Sequence, residues 1–286
     1  MTIKKIIIAT LLAMSLSACI GVKFTYNNLD WFIPWYLDDF LVLDKEQEKR
    51  FDSELLLLWN WHRQNELPEY SKLLNEIITD LDKQQLSIEK LAYYSTEAEI
   101  FYKRVILKSL EQSFVIIASL TDQQLTDLFD SISENDQDFI EYAAETDRDE
   151  RIKKRQHSIT KAFKKWLGKL STSQKQLIKQ WSLEAETTME YHIEYVKRSR
   201  KAFKRALLIR NDQSQSQQLL QQLVTMPELL RSDEYNKTIE RNNLRFRLLL
   251  LDTLKSLSQK QQQHLRNKIL KYSEDFSALS VEKTNG

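Results

Sequence analysis

The chain has 286 residues, 42 of them Lys or Arg and 41 Asp or Glu, which leaves a formal net charge of +1. Such a balance supplies no global drive toward nucleic acid or any other polyanion. Only three Gly and three Pro occur, and these residues are the usual punctuation of sheets and tight turns, so long helices joined by short polar loops are expected.

The N-terminus carries the sharpest local signal. Lys4 and Lys5 form a positive start, Ile6 to Leu16 an apolar run of eleven residues, and Ser17 and Ala18 lead into Cys19. A charged start, a short apolar core and a small-residue cleavage site predict a secretory signal peptide over residues 1–18. The apolar run is well short of the ~20 residues that span a bilayer as a helix. Leu16-Ser-Ala-Cys19 resembles the bacterial lipobox, and that resemblance implies lipidation of Cys19 and a membrane partner reached through an N-terminal lipid. Ile20 stands where an aspartate would resemble an inner-membrane retention signal, so an outer-membrane anchor facing the periplasm is expected. Cys19 is the only cysteine, so the mature chain has no disulfide and its stability rests on packing. Removal of Lys4 and Lys5 leaves 40 basic against 41 acidic residues, a net charge of −1.

An aromatic run follows the cysteine: Phe24, Tyr26, Trp31, Phe32, Trp35, Tyr36 and Phe40. Trp and Tyr suit the headgroup zone of a bilayer. Asp30, Asp38 and Asp39 interleave with these rings, however, and no basic residue occurs between Lys23 and Lys45. Packing of the rings onto the helical body beside Trp59 and Trp61 is therefore the expected arrangement.

Further along, one pattern recurs: Leu43-Asp-Lys-Glu-Gln47, Leu81-Asp-Lys-Gln-Gln85, Leu120-Thr-Asp-Gln-Gln124, Leu170-Ser-Thr-Ser-Gln174 and Leu257-Ser-Gln-Lys-Gln261. Each reads as a capping box, with the small polar residue accepting from first-turn amides and the Gln reaching back to the cap. Five helix N-termini are expected from them. Helical stripes run through Leu91, Tyr94, Ala98, Phe101 and Val105, and through Leu177, Trp181, Ala185, Thr188, His192, Val196, Phe203 and Leu207. Pro68 and Pro227 predict kinks or fresh helix starts. The Gln/Ser-rich segment 211–218 reads as a loop, and a sub-boundary within the mature domain (19–286) would fall there. The fold class expected is all-α, with long amphipathic helices in an irregular antiparallel bundle.

Lys197, Arg200, Lys201, Lys204 and Arg205 fall on one arc at about one hundred degrees per residue, with Arg198 at its edge, opposite Val196, Phe203 and Leu207. Two readings stand: an anion-binding face, or a solvated face neutralised by acidic residues between Asp127 and Glu150. The mixed-sign run Arg148 to Arg155 predicts an exposed helix held by neighbouring ion pairs. The four histidines, His62, His157, His192 and His264, form no His-x-x-x-His or Glu-x-x-His pair. Glu186, Glu190 and Glu194 share a face near His192, which reads as a polar flank rather than a metal site. No phosphate loop, nucleophile elbow or second cysteine occurs, so no cofactor, metal or catalytic residue is assigned.

Tyr26-Asn-Asn-Leu-Asp-Trp31, Trp35-Tyr-Leu-Asp-Asp39, Trp61-His-Arg63, Leu67-Pro-Glu-Tyr70, and Trp166-Leu-Gly-Lys-Leu-Ser171 with Gln174 together resemble an uncharacterised family of helical lipoproteins of Gram-negative bacteria, a domain of unknown function. The resemblance implies a lipidated envelope protein and carries over no catalytic residue. Leu120-Thr-Asp-Gln-Gln124 is also similar to the Leu-Thr-x-x-Gln motif of Spy-type periplasmic chaperones. The function expected is a non-enzymatic, membrane-anchored scaffold or adaptor that works through contacts with another envelope protein. The alternatives are a chaperone-like binder of unfolded envelope proteins and a cell-wall-acting enzyme.

Overall fold

A computed structural model describes residues 21–282, so the expected signal peptide and Cys19 lie outside the described residues. Two short helices, α1 (Val22–Tyr26) and α2 (Leu29–Leu37), lead into α3 (Lys45–Asn65), α4 (Leu67–Asp82) and the long α5 (Ile88–Ser119). Next come α6 (Asp122–Glu145), α7 (Arg148–Leu167), α8 (Thr172–Glu184) and α9 (Met189–Leu208). The chain closes with α10 (Gln213–Thr225), one 3-10 turn (Pro227–Leu229), α11 (Asp233–Lys255) and α12 (Gln259–Val281). No strand occurs among the described residues, so the fold is all-α.

Local sequence explains most helix ends. Pro68 sits in the first turn of α4 and Pro227 opens the 3-10 turn, where a missing N–H costs nothing. Gly168 ends α7 with φ of 77°, a conformation that strains any residue carrying a Cβ. Asp44, Thr121, Ser171 and Ser258 each head a helix as a complete capping box with Gln47, Gln124, Gln174 and Gln261. The fifth expected box is absent. Helix α4 runs through Asp82 because Ile78 and Leu81 are buried in the core, and the next helix starts only after Ser87, whose hydroxyl caps Lys90. Asp82 instead pairs with Arg266 at 2.9 Å.

The four real boxes do more than cap. Gln47 and Gln124 face each other, each amide donating to the other's carbonyl oxygen at 3.1 and 2.7 Å. Gln174 and Gln261 do the same at 3.1 and 2.9 Å. Each Gln also donates to a backbone carbonyl beyond its partner: Gln47 to Ser119, Gln124 to Val42, Gln174 to Ser256 and Gln261 to Lys169. Each Oε1 additionally accepts from its own cap N–H, so every amide hydrogen-bonding group in these two clasps is satisfied. The same two-fold arrangement thus occurs twice, once joining α3 to α6 and once joining α8 to α12.

Each clasp adjoins its own apolar cluster. Phe114, Leu120, Leu125, Ala206, Leu207 and Leu220 pack together near the first. Ile78, Phe163, Leu170, Ile178, Leu249 and Ile269 pack near the second. A third, smaller group joins Tyr26, Trp59, Leu67 and Leu279. Helix α12 lies antiparallel to α4, tied at one end by Ser71 and Ser273 (2.8 Å between hydroxyls) and at the other by Asp82 and Arg266. The C-terminal helix therefore shares its core with the N-terminal half.

Two expectations need correction. The segment 211–218 is not a loop: α10 begins at Gln213, capped by Asp212. Its Ser216 is fully buried and donates to the Ala206 carbonyl at 2.7 Å, so polar composition concealed a packed helix. The stripe from Leu177 to Leu207 is also interrupted, since α8 ends at Glu184 and α9 starts at Met189. Asn242 holds the break by accepting from the Glu186 N–H (2.9 Å) and donating to its carbonyl (3.0 Å). Arg155, on the mixed-sign helix α7, closes the free end of α8 by donating to the carbonyls of Ser182 and Ala185.

Candidate functional site

Helix α9 turns Phe203, Ala206 and Leu207 into the core, Ala206 and Leu207 being essentially inaccessible. The opposite face carries the basic arc, and all five expected residues, with Arg198, are exposed. Their neighbours divide them. On the α6 side, Arg200 donates to both carboxylate oxygens of Asp136 at 2.9 and 3.2 Å. Lys204 lies 4.9 Å over the Phe129 ring. Lys197 pairs along its own helix with Glu194 at 3.1 Å. The acidic stretch 127–150 meets the arc through the Asp136–Arg200 pair.

On the α10 side the surroundings differ. Arg198, Lys201 and Arg205 form one wall of a cavity of about 390 Å³, and Leu219, Leu223, Met226 and Leu229 form the other. None of the three cations has an ion-pair partner among the described residues. Met226 and Leu229 stay exposed, Leu229 at 69 %. The sequence signalled the cations but not the apolar wall, because no local pattern says that Leu219, Leu223, Met226 and Leu229 come to face α9.

The histidine regions resolve into structural contacts. Glu186 lies outside α9 and is held by Arg241 (2.6 Å) and Arg245 (2.6 Å), which keep its carboxyl at about 2. His192 instead contacts the Tyr235 hydroxyl at 3.1 Å, and burial lowers its pKa. No group of three His, Cys, Asp or Glu among the described residues is placed to hold a metal ion.

His62 is the most perturbed histidine. It sits between the hydroxyls of Tyr26 (2.9 Å to Nδ1) and Tyr70 (3.3 Å to Nε2), and burial pushes its pKa down to about 4. Its neutral ring accepts a hydrogen bond at one nitrogen and donates at the other. The unfolded chain takes up a proton near pH ~6.5 while the folded chain does not until about pH 4, so acid favours unfolding across that window. Stability is expected to fall by about 1–2 kcal/mol between pH 7 and pH 5, read from urea midpoints. The fall should be shallower in His62→Gln, and an identical fall there would remove His62 as its source.

A shallow polar cleft between α4 and α5 holds Asp80. Its carboxylate accepts from the Tyr94 hydroxyl at 2.5 Å and from Lys90 at 3.0 Å, and the tyrosine bond is the main reason its pKa lies below the usual range.

The aromatic run after Cys19 is divided as well. Tyr26 packs edge-on against Trp59 at 5.5 Å and is buried. Phe24, Trp31 and Trp35 do not join the body: they are 56 %, 62 % and 54 % exposed. Trp31 and Trp35, one turn apart on α2, stack with centroids 6.3 Å apart. The expectation that the run packs onto the body holds for Tyr26 and fails for these three. Trp31 and Trp35, at i and i+4, share one face of α2, and that face is the exposed one. No described helix is long and apolar enough to cross a membrane.

Residues 39–236 match the model of a family of unknown function (DUF6279). No curated protein and no solved structure matches the chain. The matched segment contains Gln47, Gln124, Gln174 and the whole cation-walled cavity.

Proposed function

The chain belongs to this family of unknown function (DUF6279), and from that premise we propose that it is a lipid-tethered envelope protein acting as a non-enzymatic scaffold. In this reading Cys19 is acylated, the lipid holds the protein at the outer membrane facing the periplasm, and the helical body engages another envelope protein. The observation that carries it is the exposed Trp31–Trp35 stack on α2, which begins twelve residues beyond the expected anchor at Cys19. Water-exposed indoles are unfavourable, whereas indoles at a headgroup boundary are stabilised there. With the anchor holding the chain at the bilayer, indoles seated at the headgroup boundary orient the helical body against the membrane surface. The displaced titratable groups support a scaffold: Glu186 is clamped by two arginines, His62 by two tyrosines and Asp80 by Tyr94 and Lys90.

Tryptophan quenching tests this reading. With the full chain reconstituted in vesicles of brominated phosphatidylcholine, Trp31 and Trp35 are expected to be quenched. The quenching should largely vanish in Trp31→Phe/Trp35→Phe, which leaves the other four of the six tryptophans. Unchanged quenching in that variant, or none in the wild type, counts against a membrane-facing α2.

A further inference from the structure

We infer that the cavity between α9, α10 and the 3-10 turn binds a long-chain anionic amphiphile, its head on Arg198, Lys201 and Arg205 and its chain along Leu219, Leu223, Met226 and Leu229. Three features of the site lead there. Its two walls differ chemically, the α9 wall carrying the three cations beside Ala202 and the facing wall being aliphatic except for Gln222, which matches a molecule with one charged end and one apolar end. Its volume of about 390 Å³ lies within the ~300–1,000 Å³ of small-molecule sites, which suits one chain better than a packed helix. The cations are also unengaged among the described residues, unlike Arg200 and Lys197 on the same helix, which have carboxylates.

Spacing adds to the case. Residues 198, 201 and 205 recur at i, i+3 and i+7, so they stand in one row along α9. At ~1.5 Å per residue that row is roughly 10 Å long, enough for one carboxylate or phosphate head to meet two of them. Arginine presents a fork suited to an oxyanion, and lysine a mobile point charge. Leu229, 69 % exposed at the mouth, gains apolar cover when a chain enters.

The site does not rest on the lipid tether, since all of its lining residues lie between 198 and 230. A Cys19→Ser chain, which carries no lipid in the tether reading, should bind the probe as well as the wild type does, which separates failure of the two readings.

The test uses the full chain in phosphatidylcholine nanodiscs and a palmitic acid probe carrying a diazirine on its chain. Photolabelling is expected on residues 219–230, mapped by mass spectrometry. Palmitate should compete with it, while butyrate and the matched fatty alcohol compete poorly. Lys201→Glu/Arg205→Glu should reduce labelling by roughly tenfold or more, because cations near an anionic group each contribute appreciably. These residues are exposed, so the variant should keep its helicity by circular dichroism. Leu229→Asp, at an exposed position, tests the apolar wall separately and should also reduce labelling.

Equal labelling in either variant overturns the inference, as does labelling that maps elsewhere. Competition by butyrate as strong as by palmitate would reduce the site to a surface anion contact and overturn it too. Displacement of the probe by an acidic amphipathic peptide but not by palmitate would assign the groove to a protein partner instead.

Discussion

Replacing Gln174 with leucine is expected to destabilise the protein by about 3 kcal/mol, through a lost helix cap and stranded partners. Gln174 is completely inaccessible, and its amide joins the Ser171 N–H, the Gln261 amide and Ser256. Truncation leaves the Gln261 amide buried with half its partners gone, and a buried unsatisfied polar group costs ~1–3 kcal/mol by itself. The second substitution, Gln261→Leu, removes the very groups that the first stranded. The double variant should therefore be more stable than the sum of the single losses by about 1–2 kcal/mol. Gln123→Leu, on the exposed face of α6, is the control and should change little. Urea midpoints of the wild type and these four variants decide it. Additive losses at Gln174 and Gln261 would mean that two caps stand side by side without forming a clasp.

The other large effect is expected at Arg104. Its guanidinium donates to both oxygens of Glu66 at 2.8 and 2.9 Å, and Glu66 is 1 % exposed while the Arg104 side chain is 42 % exposed. The two partners are therefore not equivalent. Arg104→Met leaves a carboxylate in the interior without its counter-charge, a change that costs about 3–5 kcal/mol. Glu66→Gln leaves a guanidinium that can turn to water, so it should cost about 1 kcal/mol, the scale of one ordinary hydrogen bond. Thermal melts of the two variants should differ clearly, with Arg104→Met the lower. The reverse order would show that the ion pair is solvated and that Arg104 contributes through its guanidinium stacked over the Phe101 ring, 5.0 Å from the centroid.

The all-α class was legible because scarcity of Gly and Pro and helical apolar spacing are properties of the chain itself. So were the caps at Asp44, Thr121, Ser171 and Ser258, since a capping box is a contact within four residues. The pairing of those caps was not legible. Gln47 and Gln124 are 77 positions apart, and no local pattern says which box meets which. Asp82 shows the complementary failure: the right letters stood at the end of a helix, where burial of Leu81 overrode the local signal. The loop expected at 211–218 failed for the same reason, because Ser216 is satisfied only by the tertiary contact with Ala206. Charge was read correctly as exposed on α9. Which cations have carboxylates and which face leucines depends on α6 and α10, and so appears only in three dimensions.

Incorporation of radiolabelled palmitate tests the tether most directly, comparing the wild-type chain with Cys19→Ser in growing bacterial cells. The wild type is expected to take up label and to run at the length left after loss of residues 1–18. Cys19→Ser should remain an unlabelled, full-length precursor. Label retained in Cys19→Ser, or a wild-type chain that is never labelled, would contradict a protein tethered through that cysteine.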